Sequence, residues 1–191
     1  MTPEARSRGL GDAFDPVLAA ARLGEAWAFQ RLFDWLARPV ASYLRGAGVE
    51  DPDGIANEVF LRVFGGIERF EGTEGRFRSW VFAIAHNLVI DERRRQGRRP
   101  AQSTLTPDAG PAAPGADAAA LVTIGDDRVR ALLAGLPPDQ RDVVLLRVIA
   151  DFSIEETAAA LGKRPGAVKS LQHRAMAALR RRLDQDGAVS R

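Results

Sequence analysis

The sequence predicts an all-α protein: two small helical domains joined by a flexible linker. Three observations predict it. Apolar residues recur every three or four positions in long stretches on both sides of the middle of the chain, the spacing that paints one face of a helix. No segment alternates convincingly at the period of two that a half-buried strand needs. Between residues 97 and 125 the helical spacing gives way to proline, alanine, glycine and aspartate, as in Gly110-Pro111-Ala112-Ala113-Pro114-Gly115, a composition suited to a tether. The expected organisation is a disordered N-terminus (1–14), a first domain (15–96), an acidic linker (97–125), a second domain (126–183) and a tail (184–191).

Each element has its signals. Asp15 followed by Pro16 starts a short helix, and Gly24 stops it. A longer helix follows on Phe29, Leu32, Phe33, Leu36, Val40 and Tyr43, which Pro39 should kink or split. Asp51-Pro52 restarts the chain as a helix with Ile55, Val59, Val63 and Ile67 on one stripe, ended by Gly65-Gly66. A polar loop, Arg69 to Gly75, opens into a long helix facing its core with Phe77, Trp80, Val81, Ile84 and Leu88. In the second domain Leu132, Leu133 and Leu136 close a first helix before Pro137-Pro138, and Val143 to Val148 form another. Ser153 and Glu156 form a capping box for a small-residue helix that ends at Gly162. A basic helix from Pro165 to about Leu183 completes a helix-turn-helix.

Composition narrows the function. The chain has 191 residues, 46% of them hydrophobic, and no cysteine, so disulfides and thiolate metal sites are excluded and a reducing cytoplasm is the expected location. No apolar run approaches the roughly 20 residues of a bilayer crossing, so membrane insertion is not expected. The two histidines, His86 and His173, lie far apart; no catalytic or metal cluster forms, and neither enzyme activity nor a cofactor is expected. Net charge is only +2, but its distribution is uneven. Arg76 to Arg99 carries seven arginines and Lys163 to Arg182 seven cations, whereas Pro100 to Asp127 holds only acids. Two basic blocks point to two polyanion-binding surfaces.

The last helix carries Val168, Ala175 and Leu179 on one side, flanked by Leu171 and Leu183. The other side presents Gly166, Ala167, Lys169, Ser170, His173 and Arg174, with Arg164 just ahead. Small residues let such a helix enter a major groove, and the cations reach phosphates or base edges. A plain solvated basic face would look similar; the capped helix and turn in front favour DNA. The helix from Phe77 to Gln96 offers a second surface, Arg78, Phe82, His86, Val89 and Arg93 with Asn87 beside them, where aromatics among cations suit stacking on unpaired bases. Taken alone, Phe82 reads as core rather than platform, and His86 as a surface or capping residue rather than a catalyst. Asp91 and Glu92 are adjacent and do not share a face, so they form no catalytic dyad.

Asn57-Glu58-Val59-Phe60-Leu61-Arg62-Val63-Phe64 and the run from Phe77 to Asp91 resemble region 2 of extracytoplasmic-function (ECF) sigma factors. Leu136-Pro137-Pro138-Asp139-Gln140-Arg141, Gly166-Ala167-Val168-Lys169-Ser170 and His173-Arg174-Ala175 resemble their region 4. The resemblance implies binding to core RNA polymerase, with Asp53, Asn57, Glu58 and Leu61 on the clamp helices of its largest subunit and region 4 at the flap of the second-largest. It implies −10 capture by Arg69, Phe70, Arg78, Asn87 and Arg94, with one base flipped into a pocket, and −35 recognition by the helix at Pro165 to Ala177. An anti-sigma factor is the further partner it implies. The chain departs from the family pattern at Gly54 and Asn57, where many relatives have Asp and Gln, and at Leu171 and Gln172, where Arg and Leu are common. Ala83 and Ile84 replace the tryptophan pair of housekeeping sigma factors. The rival reading is a stand-alone helix-turn-helix regulator, which leaves the Phe77–Arg95 helix without a task.

Overall fold

The structure, a computed structural model, describes residues 9–98 and 127–189. The expected linker lies outside the described residues, except Gly97 and Arg98. All regular structure among the described residues is helical.

The first helix, α1 (Phe14–Arg22), follows a 3-10 turn at Gly11–Ala13. The Glu74 carboxylate accepts from the backbone N–H of Leu10 at 3.0 Å and of Gly11 at 2.9 Å. Residues 9–14, read from the sequence as part of a disordered N-terminus, thus carry this turn and these bonds, and Asp15 sits inside the first turn of α1 and not at its cap. Gly24 ends this element in the left-handed region, at φ +83°.

Helix α2 (Ala26–Ala47) runs unbroken through Pro39, where a kink or split was expected. Proline removes one backbone donor there, at a cost of about 3 kcal/mol in a helix interior. Leu32, Leu36, Val40, Tyr43 and Leu44 bury a continuous face spanning that point, and this burial outweighs the lost bond. Helix α3 (Pro52–Gly66) starts as expected, with the Asp51 side chain accepting from Gly54 N–H at 2.8 Å and Pro52 at the first helical position. Val59, Val63 and Ile67 are buried and Ile55 half-buried, so the predicted stripe is the core stripe.

Helix α4 (Glu74–Arg98) carries the first unit's longest element. Phe77, Val81, Ala85 and Leu88 pack inward, yet Phe82, His86 and Val89 are buried as well. The second burial comes from the second unit: α5 (Asp127–Ala134), α6 (Pro138–Val144), α7 (Ile154–Leu161) and α8 (Pro165–Val189). Between α6 and α7 the chain widens into a π-helical turn, Leu145–Ile149, where a plain helix through Val148 was expected. The turn leaves Val148 exposed while Leu145, Leu146 and Phe152 are buried. Helix α8 continues to Val189, beyond the expected end at Leu183.

Both units share one hydrophobic cluster. The most extensive packing between elements is α4 on α7, and α2 also meets the π-turn, α5 and α6. Among the described residues the two expected helical domains therefore pack against each other.

Candidate nucleic-acid interface

Helix α8 is aimed by its predecessor. Ser153 Oγ accepts from Glu156 N–H at 3.0 Å, and Ser153 N–H donates to the Glu156 carboxylate at 2.7 Å, which closes the predicted capping box. Gly162, at φ +61°, reverses the chain after α7, and Pro165 opens α8. Val168, Leu171 and Ala175 bury against α6 and α7. That orientation leaves Arg164, Gly166, Ala167, Lys169, Ser170, His173 and Arg174 all exposed. The two departures from the family pattern serve packing inside this unit. Leu171 belongs to the core, and Gln172 accepts from Arg147 Nε at 3.3 Å.

The loop before α4 builds an aromatic platform. Phe70 stacks on Trp80 with ring centroids 5.1 Å apart and planes at 22°, and meets Phe77 edge-on at 5.1 Å. Arg22 donates a side-chain hydrogen bond to the Phe70 carbonyl and ties this loop to α1. Arg69, Asn87 and Arg94 are exposed, and Arg94 lies 3.8 Å from Asp91. An open cleft of about 520 Å³ runs along Phe70 and Trp80, its opposite wall formed by Glu155, Glu156 and Ala159 of α7.

Arg78 and the face it heads are placed otherwise than expected. Arg78 donates to the Ala150 carbonyl, lies 4.5 Å over the Phe152 ring and 3.8 Å from the Glu156 carboxylate. Phe82 packs edge-on against Phe152 at 4.8 Å and against Tyr43 at 5.7 Å. His86, expected at the surface or as a cap, is buried: its Nδ1 is 3.0 Å from the Tyr43 hydroxyl and 3.6 Å from Asp142. Arg93 grips Asp142 with two bonds of 3.0 Å, and Arg93 and Arg141 both reach the Ala47 carbonyl. Asp142 is 1% exposed, an acid almost fully withdrawn from water.

Tyr43, Asp142 and Phe152 were missed as site-forming residues. The signal for Asp142 was a lone acid abutting the apolar run Val143–Leu146, which a buried position makes costly without a cationic partner. Burial is the main cause that pushes the His86 imidazole below its usual value; Arg93 and Lys163 push the same way, while Asp142 and Asp139 oppose. Burial likewise holds the Tyr43 phenol well above its ordinary range, so its hydroxyl stays protonated beside the His86 ring.

Helix α3 presents a third surface. Asp53, Asn57 and Leu61 recur every four residues and are exposed, while half-buried Glu58 pairs with Arg62 at 2.7 Å. Leu61 stands 69% exposed, and partly exposed Phe33 packs on Phe60 nearby. Among the described residues no helix is long and apolar enough to cross a membrane.

Two family models match the chain in order: Sigma-70 region 2 over residues 28–99 and Sigma-70, region 4 over residues 126–179. The ECF RNA polymerase sigma factor ShbA of Streptomyces griseus is 37% identical over 141 residues, covering 72% of each chain. The ECF RNA polymerase sigma factor SigD of Mycobacterium tuberculosis is 33% identical over 177 residues, covering 89% of this chain and 84% of that protein. Among solved structures, CnrH in complex with the cytosolic domain of CnrY matches with a TM-score of 0.70 at 26% identity, covering 92% of this chain and 99% of that one. The sigma factor RpoE of Bartonella quintana, solved with the anti-sigma factor NepR, shares the fold with a TM-score of 0.65 at 21% identity, over 82% of this chain and 96% of that one.

Proposed function

The chain belongs to the ECF sigma factors of RNA polymerase, and from that premise we propose which of its surfaces does which part of the work. As a sigma factor it binds core RNA polymerase and directs initiation at promoters; it is an initiation factor and not an enzyme. The membership removes the stand-alone regulator, which has no use for a region 2.

Region 4 reads the −35 element. Helix α8 enters the major groove with Gly166 and Ala167 at the closest approach, Lys169, Arg164 and Arg174 on phosphates or guanine edges, and Ser170 and His173 between them. The observation that carries this assignment is the unbroken exposure of those seven residues above a buried Val168–Leu171–Ala175 floor. Region 2 takes the non-template strand of the −10 element on the loop and α4, using Arg69, Phe70, Arg78, Asn87 and Arg94. The cleft beside the Phe70–Trp80 stack supports that reading, because a flipped base needs an aromatic wall to replace its lost stacking. The α3 surface of Asp53, Asn57, Glu58 and Leu61 docks the clamp helices of the largest polymerase subunit, and region 4 meets the flap of the second-largest. An anti-sigma factor acting on the chain in the cytoplasm completes the proposed setting, as in the RpoE complex with NepR.

Size-exclusion chromatography with core polymerase followed by run-off transcription tests the whole reading; a chain that neither co-elutes nor starts transcripts refutes it. Lys169→Ala and Arg174→Ala should each weaken duplex binding and lower the salt slope by about one if the residue contacts a phosphate, or relax preference at one base pair by about 1–3 kcal/mol if it contacts a base edge. Unchanged titrations for both variants would remove α8 from the groove.

A further inference from the structure

The loop that carries Phe70 is tied down from one side by residues 9–22, and we propose that Glu74 and Arg22 are positioning residues for the base captured beside Phe70. The assignment rests on the reading of region 2 as the −10 binder.

Backbone bonds secure the two ends of the loop. Phe70 N–H donates to the Ile67 carbonyl at 3.2 Å, inside the 3-10 turn Ile67–Arg69, and Phe77 N–H to the Thr73 carbonyl at 2.9 Å. Three ties from the N-terminal side add to them. Arg22 donates to the Phe70 carbonyl and so fixes the backbone that bears the platform ring. Glu74 engages distant backbone with both carboxylate oxygens: Oε1 accepts from Leu10 N–H at 3.0 Å and Oε2 from Gly11 N–H at 2.9 Å. Phe14 packs on Phe77 with ring centroids 5.7 Å apart, and Phe77 in turn meets Phe70 edge-on.

An acid in the first turn of a helix is ordinary, because the helix dipole favours it. Glu74 goes further, since both of its oxygens are committed to a segment 63 and 64 positions earlier in the chain. The fit is close enough to exclude a side chain at residue 9: a Cβ on Gly9 would lie 1.7 Å from Glu74 Oε1.

A stacking platform holds any base, because every base has a π face. Choosing among bases requires polar groups held within about 0.5 Å of a fixed position. Phe70, Glu71, Thr73 and Gly75 line the cleft, and their polar groups are placed only as firmly as the loop is tied. Releasing the ties should therefore leave strand binding nearly intact and blur the choice of base.

The test compares the parent with Glu74→Ala, Gly9→Ala, Arg22→Ala and Arg22→Lys, each as the full chain assembled with core RNA polymerase. Gly9→Ala dislodges the carboxylate while Glu74 itself stays, and lysine keeps a donor for the Phe70 carbonyl. Asp51→Ala removes the cap at the far end of α3 and controls for general loss of stability. The parent holoenzyme first selects from short single-stranded DNA of random sequence. The enriched strand, its single-base substitutions and the unselected pool are then the probes. Each of the three releasing variants should lower the preference for the enriched strand over its worst substitution by about fivefold or more, a loss comparable to one mismatched position. Affinity for the unselected pool should stay within about twofold of the parent, since stacking and phosphate contacts remain. Arg22→Lys should recover most of the preference, and Asp51→Ala should retain it. Amides of residues 70–73 should exchange faster in the releasing variants, as local opening becomes easier. Releasing variants that keep the parental preference overturn the positioning role. So does an equal loss on selected and unselected strands, or the same loss in Asp51→Ala, because each assigns the effect to folding at large. A parent holoenzyme that enriches no sequence overturns the −10 reading, and the positioning role with it.

Discussion

Asp142 illustrates how much one side chain's setting decides. Its carboxylate is withdrawn from water and held by two bonds from Arg93, whereas Glu58 and Arg62 pair across an exposed helix turn. Breaking a buried pair costs up to about 3–5 kcal/mol, but the Arg93 side chain is 24% exposed and rehydrates in part. Asp142→Ala should therefore cost about 2 kcal/mol, and Glu58→Ala less than about 1 kcal/mol; paired urea melts measure both, and equal losses would contradict the burial argument. His86 adds a pH dependence of defined sign. Burial lowers its pKa from 6.5, against the pull of Asp142 and Asp139 and with the push of Arg93 and Lys163. The folded, closed chain then binds fewer protons than the opened one, so this packing is at full strength above the unfolded value and weakens as pH falls through 6.5. Melting temperature should drop between about pH 7.5 and pH 5.5, and His86→Gln should flatten that drop.

Helix boundaries were legible where a side chain announces them, and faces were legible only where one partner is involved. The Asp51-Pro52 start, the Gly65-Gly66 end and the Ser153–Glu156 box all stand as the sequence implies. Helix α4 is the instructive failure. Phe82, His86, Val89 and Arg93 recur at helical spacing, and an aromatic, a histidine and an arginine are what a nucleic-acid platform offers. They are also what a polar-rimmed contact between two helical units offers, and periodicity cannot tell which partner arrives. Pro39 failed differently: proline's penalty is local, while the apolar face of α2 that overrides it is tertiary. The capping box supplies a prediction at this scale. Ser153→Ala should lower stability by about 1 kcal/mol, read as a shift in the thermal or urea midpoint. Glu156→Gln should shift it less, since an amide still reaches the Ser153 N–H; a larger loss for the glutamine variant would place the effect in the Arg78 contact instead.

For the whole molecule, two kinds of contact respond to salt in opposite measure. Groove and phosphate contacts displace condensed counterions, so a surface making several of them loses about tenfold or more in affinity over a modest salt increase. The contact between the units is built differently. Phe82 on Phe152, Val89, Leu145 and Leu146 supply its apolar part, all fully buried, and burial of such surface contributes about 25 cal/mol per Å² with little dependence on ionic strength. Its ion pair sits where screening by mobile ions is weak. The linker sequence, with no helical stripe, gave no sign of this closure; the information lies in which faces complement each other, a property of three-dimensional shape. Raising salt from about 50 to 200 mM should therefore strip duplex DNA from α8 by a factor of ten or more while the scattering radius of the free chain stays constant. An expansion of the free chain over the same range would mean that exposed charge, and not the apolar seam, holds region 4 on region 2.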